Sequence, residues 1–346
     1  MTLTIKSSLK NYKVIFKSIN SIKNKNNHFY IVDQFFKNKL TDIGINKKNS
    51  IFIKASEDSK KFSAAQRFIK CLLEININRN STLVGIGGGT IQDITSFISH
   101  ILFRGIRWIY IPTTLLSQSD SCIGSKIAIN FLNIKNLIGG YSAPDKVYID
   151  TNLLKTLSSR EIYSGFGEMA HYFYLSDKQN YSFFKKTLIN FINKKKFQYQ
   201  ILIKTSLNIK KFYIEKDEFE KKERIYLNYG HSFGHAIESM KEFKIPHGVA
   251  VAKGMHIANF ISYNLKIMSK KNYEQLQPVL EMIFKKFNLR NLDIDLMIKL
   301  LKKDKKAINN RIRVVLIKNL GIPLIKEFNN NSPIKDLLSR YFKIYN

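Results

Sequence analysis

Short runs of β-branched and aromatic residues alternate with stretches of helical spacing through the first half of the chain. Residues 28–32 (HFYIV), 51–54 (IFIK), 82–86 (TLVGI) and 108–111 are predicted strands. Residues 62–75 carry Ala65, Phe68, Ile69, Leu72 and Leu73 on one helical face, and residues 91–102 continue as a helix after Gly87-Gly88-Gly89. Strands alternating with helices in this way predict a parallel sheet with helices on its faces.

From about residue 160 the pattern changes to long helical segments with lysine-rich polar faces: 180–192, 199–220, 234–243, 250–268 and 272–287. A late β-like run, 311–317, is expected to pair with 321–326. The chain therefore divides into an α/β nucleotide-binding domain (1–158) and a mainly α-helical domain (159–346), with the boundary marked by the change of pattern alone.

The 346 residues are 44% hydrophobic and 24% charged, an ordinary balance for folded domains. The formal charge of +31 would ordinarily suggest nucleic acid. The lysines, however, are spread along the whole chain among Asn and Ile, with basic runs flanked by apolar positions as on solvated helix faces. A small polyanionic substrate fits the charge, and neither nucleic acid nor a membrane is expected as partner. Cys71 and Cys122 form no CxxC pair, which argues against a disulfide framework or thiolate metal site. The first residues lack a signal-peptide pattern and no stretch is long and apolar enough to span a membrane, so a cytoplasmic chain is expected.

Chemistry concentrates in 227–248, LNYGHSFGHAIESMKEFKIPHG, which holds three of the seven histidines. His231 and His235 are spaced i, i+4, and His247 follows a proline. A metal or catalytic site competes there with ordinary surface or core histidines. The glycine turn before a helix can approach a pyrophosphate, although it is not GxGxxG and a plain strand-to-helix turn remains open. Asp93 is equally readable as a helix-dipole partner. Thr113 and Thr114 end the next strand, where a nucleotide would lie. Between 120 and 141, isolated Asp120, Lys126, Lys135 and Asn136 sit among small residues, as in a phosphate-binding or simply solvated loop.

GGGTIQDITSF, FRGIRWIYIPTTLL, DSCIGSKIAIN, KNLIGGY, GFGEM, LNYGHSFGHAIE and PHGVAVAKGM, in this order, resemble the 3-dehydroquinate synthase and sugar-phosphate cyclase family. The resemblance runs from about residue 30 to 320. It implies zinc (cobalt being an alternative) held by Glu168, His231 and His247, with His235 contacting substrate phosphate and relaying protons. Lys126, Asn136 and Asn228 resemble phosphate and substrate contacts, Asp120 and Lys135 match polar residues of the pocket, and Arg104 resembles an arginine supplied by the partner of a homodimer. Lys210 and Arg224 fall where the family clamps the substrate carboxylate, and Lys305 or Lys306 of the Asp304-Lys305-Lys306 triplet where a lysine nears the phosphate. For NAD the matching positions are Asp33, Glu57, Lys60, Gly88, Gly89, Asp93, Thr113, Thr114 and Thr156.

The implied reaction converts 3-deoxy-arabino-heptulosonate 7-phosphate to 3-dehydroquinate and phosphate by transient oxidation, phosphate elimination, re-reduction and aldol closure. Four positions depart from the family pattern. His171 stands where a lysine follows the metal-binding glutamate by three residues. Ser125 and Ser56 stand where glycine is usual, and Gln92 precedes Asp93. His171 leaves open a cyclase of another sugar phosphate, while Lys210 and Arg224 argue for a carboxylated one. A metal-dependent polyol dehydrogenase of related fold and a basic binding protein are further alternatives.

Overall fold

A computed structural model of the chain describes residues 1–22, 26–39, 45, 47–132, 134–303, 311–329 and 331–345. Asp304, Lys305 and Lys306 lie outside the described residues. The chain separates into two compact units, Met1–Leu157 and Ser158–Asn346.

In the first unit the elements are β1 (Thr2–Ile5), β2 (Tyr12–Phe16), β3 (His28–Asp33), β4 (Ser50–Ile53), α1 (Phe62–Glu74), β5 (Thr82–Gly87), α2 (Gly89–Ile101), β6 (Arg107–Pro112), β7 (Lys126–Phe131), β8 (Ile134–Tyr141) and β9 (Lys146–Ile149). Among the described residues, seven of these strands form one sheet in the order β1-β2-β9-β6-β5-β3-β4. All pairings in it are parallel except β1 with β2. Every residue of β5 is buried, as expected for a central parallel strand covered on both faces. Tyr30, Val32, Val84, Ile86 and Ile111 make the core under one face.

From β3 the chain steps outward to β4, crosses back to β5 on the other side of β3, and continues to β6. The direction of winding thus reverses between β3 and β5. The carboxyl ends of strands flanking such a switch point form the usual ligand crevice of an open α/β sheet. Asp33 ends β3 and Gly87 ends β5.

The segment read as a polar loop is instead an antiparallel hairpin, β7–β8, with Lys126 opposite Tyr141 and Ile127 opposite Gly140. Ile127 and Ile129 alternate inward from β7, and a Cβ on Gly139 would come within 1.9 Å of the Ile127 carbonyl oxygen. Gly139 is therefore a requirement of close strand pairing.

The second unit contains α3 (Ser159–Tyr174), α4 (Lys178–Ile192), α5 (Tyr199–Lys216), α6 (His231–Met240), α7 (His247–Asn264), α8 (Lys270–Phe284), α9 (Ile294–Lys303), the hairpin β10 (Ile312–Asn319) with β11 (Ile322–Phe328), and α10 (Asn331–Tyr345). Ser158 and Glu161 close a capping box at the start of α3, which fixes where the helical unit begins. Gly248 through Ser262 of α7 are all buried, so this helix is the centre about which the others pack. No helix among the described residues is long and apolar enough to cross a membrane.

Candidate active site

Backbone-to-backbone contacts between helices build the histidine cluster of the second unit. A Cβ on Gly248 would lie 1.8 Å from the Ser164 carbonyl oxygen, and one on Gly167 would lie 2.0 Å from that of Gly248. α3 and α7 therefore touch where neither can carry a side chain. α6 meets α7 similarly: a Cβ on Gly254 would sit 2.1 Å from the carbonyl oxygen of Gly230, itself at φ +83°. Glu168 follows Gly167, His231 follows Gly230, and His247 precedes Gly248. The glycines that allow close approach thus deliver the three side chains to one place.

Glu168 is 4% exposed and lies between two imidazoles. Its Oε1 is 3.3 Å from His231 Nε2, and its Oε2 is 3.2 Å from His247 Nε2. The second contact lacks hydrogen-bond direction, leaving Oε2 a buried oxygen without a hydrogen-bond partner among the described residues. Ligands at about 2.1 Å from one tetrahedral ion are separated by roughly 3.4 Å. Each spacing matches such an edge, one from each carboxylate oxygen, and a buried carboxylate flanked by two imidazoles has the donor chemistry of a divalent-cation site. His247 Nδ1 pairs with Glu238 Oε2 at 2.9 Å, which orients the ring with Nε2 towards Glu168.

The electrostatics agree. Burial opposes charge on Glu168, but His231 and His247 outweigh it and hold the carboxyl well below the usual carboxylate range. Burial also disfavours the His247 imidazolium, yet the Glu238 and Glu168 carboxylates carry its pKa well above the ordinary value.

His235 lies one turn beyond His231 and is exposed. The rings of His231, His235 and His247 form a triangle with centroids 5.6 Å apart on each side. His171, one turn along α3 from Glu168, is buried with its ring 5.0 Å from that of His231. Lys210 is buried on α5, and Arg224 is buried on the 3-10 turn Glu223–Asn228 that packs against α5. Asp217 shapes the approach to that turn by accepting N–H groups from Lys221, Lys222 and Arg224 at 2.9, 2.6 and 3.1 Å. The Arg224 guanidinium donates to the Glu218 carbonyl, and Asn228 Nδ2 to Glu220 Oε1 at 2.7 Å.

The first unit gathers the other expected residues. Gly88 caps α2 without a side chain, and a Cβ on Gly89 would meet nothing nearer than Ser121 Oγ at 3.9 Å. The leading amides of α2 can thus receive an anionic diphosphate at the switch point. Asp33 accepts the Phe35 N–H at 3.1 Å. Thr113 is buried, and the Thr114 hydroxyl pairs with Ser117 Oγ at 2.8 Å. The Thr156 hydroxyl is turned back on its own 3-10 turn, donating to Leu153 O at 2.8 Å.

Buried Lys60 joins the positions matched to nucleotide and to substrate, with Nζ 2.6 Å from Asp93 Oδ2 and 2.8 Å from Asn136 Oδ1. Glu57 takes Lys135 Nζ and Asn130 Nδ2 at 2.9 Å each. Asp93, Lys126, Asn136 and Tyr141 line an open cleft of about 400 Å³. Gln92 Nε2 donates to Ser121 O at 2.6 Å, tying α2 to the π-turn Ser117–Ser121 that carries Asp120. Arg104 is exposed on the turn Leu102–Arg104.

Reading the residues in sequence missed Glu238, Ser164 and Asp217. Glu238 had a signal, since His231, His235 and Glu238 fall at i, i+4, i+7 on α6. Ser164, whose Oγ accepts the Gly248 N–H at 3.1 Å, and Asp217 had none without the fold.

Residues 50–164 match the family model for the 3-dehydroquinate synthase N-terminal domain, and 165–307 that for its C-terminal domain. The 3-dehydroquinate synthase of Dictyoglomus thermophilum is 35% identical over 331 residues, covering 94% of this chain and 93% of the relative. Among solved structures, a 2-deoxy-scyllo-inosose synthase complexed with carbaglucose-6-phosphate, NAD+ and Co2+ superposes with a TM-score of 0.84 at 22% identity, over 97% of this chain and 99% of the other. A 2-epi-5-epi-valiolone synthase from Streptomyces hygroscopicus subsp. jinggangensis with NAD+ and Zn2+ gives 0.84 at 18% identity, over 97% and 98%. At these identities the two structures establish likeness of fold.

Proposed function

The chain belongs to the 3-dehydroquinate synthase family, and from that premise we propose that it converts 3-deoxy-arabino-heptulosonate 7-phosphate to 3-dehydroquinate and phosphate, a step of aromatic biosynthesis. The observation that carries this reading is the buried Glu168 carboxylate between His231 and His247, in a chain that also buries Lys210 and Arg224.

Glu168, His231 and His247 hold a divalent ion, which we take to be zinc, and Asp33, Gly88, Gly89, Thr113 and Thr114 surround NAD at the switch point. Bound NAD supplies a transient hydride acceptor and donor, and the ion supplies a Lewis acid for the oxygen being oxidised. The rest of the work falls to side chains. Lys126 and His235 bind and orient the phosphate, and His235 moves a proton at the phosphate oxygen. Arg224 presents a planar fork to the substrate carboxylate, with Lys210 as the second cation. Asp120, Lys135, Asn136 and Asn228 orient ring hydroxyls, with Glu57 paired to Lys135 and Lys60 bridging Asp93 and Asn136 to hold the hairpin residues Lys135 and Asn136 in place. The reaction is redox-neutral overall, so positioning dominates. The enzyme acts in the cytoplasm as a homodimer, with exposed Arg104 offered to the neighbouring subunit.

A second reading, a cyclase of a sugar phosphate lacking the carboxylate, is favoured by His171 in place of lysine. A substrate panel separates the two. Phosphate release from the heptulosonate phosphate, exceeding that from aldose and ketose phosphates without a carboxylate, is expected; turnover of the latter alone would overturn the first reading.

A further inference from the structure

Among the described residues, the second unit holds two trios of side chains that could ligate a metal. Ligating atoms of Glu168, His171 and His231 lie within 4.8 Å of one another, and so do those of His235, Glu238 and His247. The second trio contains the His247–Glu238 pair that orients an imidazole. The first contains the Glu168–His231 pair and brings His171 to it. His171 is 1% exposed, one helical turn from Glu168 on α3, with its ring edge-on to His231 at 83°. Beside it stands the Glu168 carboxylate with its uncommitted Oε2.

A lysine, the residue usual at this position in the resemblance, is a cation and repels a metal ion. A neutral imidazole is a ligand. We propose that His171 is an additional metal ligand, so that this chain binds its divalent ion through Glu168, His171 and His231 as well as through His247. The substitution changes the site in two ways at once. It adds a nitrogen donor on the α3 side of the carboxylate, and it removes a fixed positive charge next to the ion. Both raise affinity for the metal. The inference rests on the reading of the second unit as a metal site, but it concerns coordination and does not depend on which sugar phosphate is turned over.

The test is a Co2+ titration of metal-depleted full-length protein, in competition with a chelator of known affinity, followed by the visible d–d absorption of the bound ion. His171→Lys and His171→Gln are compared with the parent, with circular dichroism reporting that each is folded. Losing even an outer partner of a ligand costs 10–100-fold in metal affinity. Both variants are therefore expected to bind Co2+ at least about tenfold more weakly, with shifted d–d bands, while stoichiometry stays at one ion per chain. Unchanged affinity and an unchanged spectrum in folded His171→Gln would overturn the role of His171 while leaving the metal site intact. Failure of the parent protein to bind Co2+ would overturn this inference and the metal reading together.

Discussion

His247 is held between two carboxylates, and on the proposed reading its protonation and a metal compete for the same nitrogen. Its pKa is raised in the folded protein, so its contribution to stability is present below the unfolded value and is lost as pH rises through the folded one. Glu168 has the opposite sign: its lowered pKa contributes stability above the unfolded value, lost as pH falls through the folded one. Metal binding must displace the His247 proton, so affinity should rise about tenfold per pH unit up to the raised pKa. Calorimetry in buffers of different ionisation enthalpy measures this directly, and binding without proton release would refute it. If Arg224 holds the substrate carboxylate as proposed, Arg224→Ala should cost roughly 2–5 kcal/mol in kcat/KM; steady-state kinetics checks this, and unchanged parameters would remove Arg224 from the site. Ser125 occupies the left-handed region at φ +60°, and its buried hydroxyl has no hydrogen-bond partner among the described residues. This explains why glycine is usual there in the family. Ser125→Gly should stabilise by about 1 kcal/mol, read from the urea midpoint.

At the scale of elements, the close contact of α3 with α7 is what the candidate site depends on. Gly248→Ala places a methyl against the Ser164 carbonyl and forces the helices apart. It should destabilise by roughly 1–3 kcal/mol or more and weaken metal binding although no ligand is altered. Urea unfolding together with Co2+ affinity checks both effects. Lys253, buried in α7 near the Phe284 and Tyr341 rings, has its pKa pushed by burial down to about 8, partly offset by Glu281. Between that value and the ordinary one, the unfolded chain keeps a proton that the folded chain has released, so stability rises with pH. Lys253→Met should abolish that slope without loss at pH 7, which unfolding at pH 7 and at about pH 9 measures. The long apolar runs of β3, β5 and β6 and the periodic helices were legible because burial on one or both faces dictates their pattern. β7–β8 was not, because lysine, asparagine and glycine on a hairpin imitate a loop until the Ile127/Ile129 alternation is paired with Gly139-Gly140. β1, β2 and β9, four or five residues long, mix lysine and threonine with their apolar positions and so lack the apolar run that marks β4.

For the whole molecule, the formal charge of +31 suits recruitment of a small substrate carrying both a carboxylate and a phosphate. Screening should accordingly lower kcat/KM as salt is raised, more for the heptulosonate phosphate than for a neutral competitor's binding. The candidate site itself was only partly legible. The spacing of His231, His235 and His247 suggested a cluster, but Glu168 is sixty-three residues from His231 and became its neighbour only through the fold. The resemblance named that partner in advance; local pattern had no means to do so. The proposed reaction requires hydride to be taken and returned within one turnover. The direct measurement follows phosphate release and NADH absorbance together, using the heptulosonate phosphate, NAD+ and a divalent metal. Many equivalents of phosphate per NAD with no accumulating NADH are predicted. NADH accumulating in step with substrate consumption, or no phosphate released at all, would contradict the account.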